Sequence, residues 1–171
     1  MTQITKALLL ITILGLAACS KPDRFDNNNR TVDLNANNGL IDQQGLGDPA
    51  SVGYFNSTIG DRVLFAVDQS TLSPEARNIL SGQVDWLQTN SSYAILVEGH
   101  ADEQGTREYN LALSAKRASA VQQYMISQGV QASRIRTVPY GKERPIEVCS
   151  DEACYAKNRR AVTVLNTSGT S

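Results

Sequence analysis

The sequence holds one histidine, three cysteines and no surplus of positive charge, with 16 Lys plus Arg against 17 Asp plus Glu and a formal net charge of -1. That near-balance leaves no basic footprint for a nucleic-acid partner. A single histidine, with no second cysteine pair, falls short of the ligand set that a structural zinc ion needs. No glycine-flanked serine nucleophile is present. No apolar run reaches the roughly 20 residues that crossing a bilayer core requires. These absences turn attention from metal and nucleophile chemistry to binding.

What is present begins at the N-terminus. Lys6 supplies a basic start, and Ala7 to Leu16 form an apolar stretch that is too short to span a membrane. This is the layout of a secretory signal peptide. Leu16-Ala17-Ala18-Cys19 has the pattern that bacterial lipoprotein signals show just before cleavage, so residues 1–18 read as signal peptide and Cys19 as the lipidated residue. Its thiol can carry a diacylglyceryl thioether, and its freed amine can then be acylated. Stable anchoring needs more than one chain, at about 0.8 kcal/mol per buried CH₂, and a triacylated cysteine meets that need. An ordinary signal peptide with a fortuitous cysteine is the alternative. Ser20, where an Asp would signal inner-membrane retention in some bacteria, is compatible with export to the outer membrane.

With Cys19 lipidated, Cys149 and Cys154 remain as an even pair in an oxidising compartment, which favours a disulfide over zinc. The small loop that it closes contributes about 2 kcal/mol on the chain-entropy account. Residues at that spacing cannot be bridged inside one regular helix. Cys149 is therefore expected in the turn before a helix that begins near Asp151.

Residues 19–52 read as a flexible tether. They are rich in Asn, Asp, Gly and Gln and have no apolar period, so they bury too little to offset chain entropy. Roughly 30 such residues average about 30 Å end to end and stretch to about 100 Å. Patterned sequence occupies residues 53–168. Arg62 to Ala66 is a short strand. Ser73-Pro74-Glu75 opens a helix with an N-cap and proline at N1, and Asn90 ends it. Tyr93 to Glu98 is a buried strand. A helix from about Thr106 to Gln128 carries an apolar stripe of Leu111, Ala115, Ala118, Gln122 and Met125, and Gly129 stops it. Strands at Ile135 to Tyr140 and Arg160 to Leu165 flank a short helix near Glu152 to Asn158. The order β-α-β-α-β-α-β predicts an α/β two-layer sandwich, a mixed four-stranded sheet with helices on one face.

The densest polar segment follows the second strand, from Glu98 through His100 and Asp102 to Thr106. Loops at strand ends concentrate binding groups. A hydrolase reading would use Glu98, His100 and Asp102 as acid–base groups, but no partner cluster is spaced to complete it. His100 reads instead as a hydrogen-bonded structural side chain. On the long helix Asn110, Ser114, Arg117 and Val121 share a face beside the apolar stripe. Arg117 then lies at the border of core and solvent. By periodicity it is first a flanking arginine whose stem covers the core; the alternative is a fork for a ligand carboxylate.

The segment Asn110-x-x-Leu113-Ser114-x-x-Arg117-Ala118-x-x-Val121 resembles the hallmark of the OmpA-like peptidoglycan-binding domains at every fixed position. The flanking stretches VEGHADEQGTREYN, YGKERP and AKNRRAV resemble the lipoprotein branch of that family, and the likeness runs from about Leu64 to Leu165. It implies a binding protein and not an enzyme, without cofactor, lipid-anchored in the outer membrane and facing the periplasm. The ligand implied is the diaminopimelate residue of the peptidoglycan stem, with Asp102 on its ammonium and Arg117 on its carboxylate. Backbone groups of Val67, Asp68 and Leu113 and the side chains of Thr106 and Asn110 would complete the site. Asn158, Arg159 and Arg160 match a motif near the same face. Val67 departs from the aromatic that is frequent at its position. TolB and TolA are the implied protein partners, in envelope integrity and cell division.

Overall fold

The computed structural model describes residues 47–148 and 150–167. The expected signal peptide, Cys19, nearly all of the tether and Cys149 lie outside them. A short helix α1 (Val52–Tyr54) runs on into a π-helical segment (Phe55–Gly60). There follow β1 (Arg62–Leu64), α2 (Pro74–Thr89), β2 (Tyr93–His100), α3 (Arg107–Ser127), a 3₁₀ turn (Ala132–Arg134), β3 (Ile135–Gly141), α4 (Glu152–Asn158) and β4 (Arg160–Thr167).

The helix starts are set by side chains that satisfy free N–H groups. Ser73 Oγ accepts from Ala76 N, Thr106 Oγ1 from Tyr109 N and Asp151 Oδ1 from Cys154 N. Gly129 ends α3 with φ 98, the left-handed turn that only glycine makes without strain, and the following Val130 is buried.

The sheet order is β1-β4-β2-β3, with β4 antiparallel to both neighbours and β2 parallel to β3. The sheet is thus mixed and four-stranded. β1, β2 and β3 run the same way, and β4 is inserted between the first two against the grain. Val63, Ile95, Val97, Gly99, Ile135, Ala161 and Thr163 are buried, and both long helices cover this face. From α2, Gln83 Oε1 accepts from Thr163 Oγ1. From α3, the helix backbone comes so close that a Cβ at Gly99 would overlap the Ser114 carbonyl.

The core is Leu80, Val84, Leu87, Ile95, Val97, Val121 and Met125 with an aromatic end of Phe55, Trp86 and Tyr93, whose successive ring centroids are 4.9 and 5.1 Å apart. Trp86 Nε1 donates to the Pro49 carbonyl at 2.6 Å and the Tyr93 hydroxyl to that of Ala50 at 3.3 Å. Pro49 and Ala50, which precede the boundary expected at residue 53, are thus already bonded to the domain.

Two sequence expectations need correction. The buried face of α3 is Asn110, Ser114, Arg117, Ala118, Val121 and Met125; of the expected stripe, Leu111 is 48% exposed. The polar residues go inside because each is satisfied there. Asn110 Nδ2 donates to the Gln104 carbonyl, and Ser114 Oγ donates to Leu111 O and accepts from Gly141 N. Arg117 is likewise not at a border: it is fully buried.

Candidate ligand-binding site

β2 ends in a register shift between Gly99 and His100, which turns the chain out of the sheet into the Ala101–Thr106 loop. That loop, the β1–α2 loop and the first turns of α3 enclose a cavity of about 290 Å³. Val67, Asp68, Asp102, Asn110, Leu113 and Arg117 line it, together with Gln104, Gly105 and Tyr109. Six of the seven residues expected at a ligand site thus meet around one opening. Thr106 does not line it; its hydroxyl caps α3 and so fixes where Tyr109 and Asn110 stand.

Arg117 forms the floor. Its Nε donates to Gln69 O at 2.8 Å, Nη1 to His100 O at 2.8 Å and Nη2 to Ala66 O at 3.3 Å, and the guanidinium lies 5.2 Å from the Phe65 ring centroid. A guanidinium carries five N–H donors; three are committed, which leaves two. Burial pulls its pKa down to about 10, and the nearby Asp102 opposes that shift, so it remains a cation at neutral pH. Among the described residues no carboxylate lies within ion-pair distance of it. The site therefore holds a buried positive charge, oriented by backbone carbonyls and with donors to spare.

Asp102 is engaged differently. Its Oδ2 accepts from Arg159 Nη1 at 3.0 Å and its Oδ1 from Gln104 N at 3.3 Å. Arg159 also donates to the Phe65 carbonyl at 3.2 Å and pairs with Glu152. Burial works against the charge on Arg159, but the bonds from Glu152 and Asp102 outweigh it and its pKa is raised. Lys142 Nζ donates to the carbonyls of Glu103 and Gly105 at 3.3 and 2.8 Å and ties the loop down from the β3 side. Asn158, fully buried, donates to Glu147 O and accepts from Ile146 N and Glu147 N.

Sequence reasoning missed the direct contact of Arg159 with Asp102 and the place of Gln104, Gly105 and Tyr109 in the lining. Gln104, Gly105 and Tyr109 lie inside the segment already singled out, and the helical offset of Tyr109 from Asn110 was the available signal. Nothing local joins Arg159 to Asp102.

His100 does not join this site. Its ring stacks on Tyr140 with centroids 5.4 Å apart, its Nε2 is 3.7 Å from Glu98 Oε2, and neither ring nitrogen has a hydrogen-bond partner. The expectation of a hydrogen-bonded histidine is therefore overturned. The desolvated pocket under Tyr140 instead keeps the ring neutral, at a pKa of about 4. Glu98, His100 and Asp102 form no catalytic chain, because Asp102 is bonded to Arg159 and Gln104 and His100 to neither. Among the described residues no group of three or more His, Cys, Asp or Glu is arranged to hold a metal ion. Cys154 is disulfide-bonded and 4% exposed.

A larger groove of about 490 Å³ runs beside β1, lined by Leu64, Ala76, Ile79 and Ile146 among others. Its cations are already spent, Arg62 on Asp61 and Lys157 on Glu147. It offers apolar shape without the unbalanced charge that marks the Arg117 cavity.

Fold and cavity together define a two-layer α/β binding domain built around one polar, charge-bearing cleft. The chain belongs to the OmpA family, whose sequence pattern matches residues 64–159. It is 43% identical to the peptidoglycan-associated lipoprotein of Mesorhizobium japonicum over 99% of this chain and 96% of that one. The corresponding lipoprotein of Brucella melitensis is also 43% identical, over 95% of this chain and 92% of its own length. The crystal structure of the peptidoglycan-associated lipoprotein from Burkholderia pseudomallei superposes with a TM-score of 0.64 at 34% identity, covering 70% of this chain and all of that one. The likeness carried by the Asn110–Val121 motif is thus shown, as is the mixed-sheet α/β fold expected from the element order.

Proposed function

We propose that this chain is an outer-membrane lipoprotein that holds the membrane to the cell wall by binding peptidoglycan without covalent change, through the diaminopimelate of the peptide stem. The observation that carries the reading is Arg117, a buried cation with two unspent donors and, among the described residues, no carboxylate within ion-pair distance. A buried charge of this kind is costly until a ligand anion meets it. Diaminopimelate ends in a carboxylate and an ammonium. The carboxylate suits the free edge of Arg117, and the ammonium suits the lone pairs that Asp102 retains after its two bonds. A lysine side chain lacks the carboxylate and would leave Arg117 unmatched.

Anchorage through Cys19 and work with TolB and TolA in envelope integrity and division complete the proposal. The lipoprotein signal pattern and the names of the relatives support the anchor; the Tol partners rest on the resemblance of the flanking segments to the lipoprotein branch alone. Co-sedimentation with purified sacculi tests the ligand: Asp102→Ala and Arg117→Ala should lower binding well over tenfold, as removing one side of a desolvated charge pair does. Equal binding of the wild-type protein to diaminopimelate- and lysine-containing sacculi would remove the ligand assignment. Release of soluble fragments from sacculi would replace binding by hydrolysis. Failure to label Cys19 with a palmitate analogue would remove the anchor, and failure to retain TolB in a pull-down would remove the Tol assignment.

A further inference from the structure

Asp68 stands at the rim of the Arg117 cavity in an unusual state. Its φ is 59, and it is the only non-glycine residue with positive φ among the described residues. Aspartate tolerates this conformation better than most residues, but it still carries a cost. The Tyr109 hydroxyl, from the first turn of α3, donates to Asp68 Oδ1 across the mouth of the cavity. No other donor reaches the Asp68 side chain among the described residues, so its second oxygen is unspent. Below this bridge the same loop is pinned by Arg117 through the carbonyls of Ala66 and Gln69, and Gln69 N closes a turn onto Ala66 O. Loop and helix are therefore tied twice, at the floor by Arg117 and at the rim by Tyr109.

The charges point the same way. Of the two acids at the cavity, Asp102 already neutralises Arg159. Asp68 has no cationic partner among the described residues, and its charge acts on Arg117 from across the opening. We propose that the Asp68 carboxylate, aimed by the Tyr109 hydroxyl, is a specificity-determining contact for the ammonium of a zwitterionic ligand whose carboxylate sits on Arg117. Tyr109 is the positioning residue. The site would then read a cation and an anion at a fixed separation, with Asp68 and Asp102 on either side of the ammonium. This rests on the ligand class proposed above and adds the side chain that selects its amine.

The variants are chosen to change one thing each. Asp68→Asn keeps a residue that tolerates positive φ and removes only the charge. Tyr109→Phe keeps the ring and removes only the hydroxyl. The full-length protein in detergent is titrated with the tripeptide L-Ala-γ-D-Glu-diaminopimelate and with the same peptide acetylated on its distal amine. Asp68→Asn should weaken the free-amine peptide about fivefold, the upper end for an exposed ion pair, and the acetylated one hardly at all. Tyr109→Phe should act in the same direction, by about threefold, and should speed amide hydrogen exchange at residues 67–69 of the unliganded protein. Equal losses on both peptides, or no loss on either, overturn the role of Asp68. Unchanged exchange in Tyr109→Phe overturns the role of the hydroxyl. Binding of neither peptide by the wild-type protein overturns the ligand class and this proposal with it, an outcome distinct from the first two.

Discussion

Asp102 is paired with Arg159 and not with Arg117: Arg159 Nη1 donates to Asp102 Oδ2 at 3.0 Å, with both side chains at least 90% buried. The two arginines of the site thus divide the work. Arg159 balances the acid and holds the Phe65 carbonyl beside it. Arg117 has no carboxylate within ion-pair distance among the described residues, which leaves its charge for the ligand proposed above.

Removing Arg159 should therefore cost stability as well as binding. Arg159→Met leaves Asp102 buried without its cation, a change that typically costs 3–5 kcal/mol. Urea unfolding should show a loss of about 3 kcal/mol, against little change for Glu152→Gln, whose carboxylate is largely exposed. Equal effects from the two variants would show that Arg159 serves α4 and not Asp102.

The close approach of β2 and α3 gives a second expectation. The Gly99 position has no room for a methyl group, because the Ser114 carbonyl occupies that space. Gly99→Ala must push α3 off the sheet, with the overpacking penalty of about 3 kcal/mol. The same shift moves Arg117, one turn further along α3, so ligand binding should fall with stability. A thermal melt like that of the wild type would show that the helix yields freely.

How far the sequence could be read depended on whether the determinant was local. The starts at Ser73–Pro74, Thr106 and Asp151 were legible because capping is decided within four residues, and α2, α3 and α4 begin there. The place of β4 between β1 and β2 was not legible, since chain order alone does not say where in the sheet a last strand inserts. Apolar periodicity misled for α3 because Leu111 was counted as core, whereas Asn110, Ser114 and Arg117 occupy the interior through bonds to distant backbone groups. The motif match pointed to residues that periodicity left outside and that line the cavity, among them Asn110, Leu113 and Arg117. The contacts that shape them, Asp102 with Arg159 and Tyr109 with Asp68, join residues 57 and 41 positions apart, and no local pattern encodes such pairs.

Cys154 lies in the first turn of α4, two residues after Glu152, which itself pairs with Arg159. Its disulfide is expected to be with Cys149. Alkylation of freshly isolated protein should leave both thiols unlabelled until reduction, and Cys149→Ser with Cys154→Ser should lower stability by about 2 kcal/mol. Peptide binding should survive, because Arg159 keeps Asp102 and the Phe65 carbonyl as partners. Two labelled thiols without reductant would remove the bridge.

The last expectation concerns acid. Burial first, and then the charges of Arg160 and Arg144, together lower the His100 pKa from 6.5 to about 4. Glu98, 3.7 Å away, is the only carboxylate paired with it among the described residues, and Arg144 lies 3.8 Å from the centroid of the Tyr140 ring on which His100 stacks. Between pH 6.5 and about 4 the unfolded chain binds a proton at this residue that the folded protein refuses. Stability contributed by the neutral ring is therefore complete above about pH 6.5 and is lost as the pH falls toward 4, by something on the order of 2 kcal/mol. His100→Phe keeps a ring against Tyr140, removes the titration and removes two unpartnered nitrogens. Its unfolding free energy should consequently decline less between pH 7 and pH 4.5 than that of the wild type, with the carboxylates titrating alike in both. Parallel pH profiles for the two proteins would show that the ring accepts its proton in place, stabilised by Glu98.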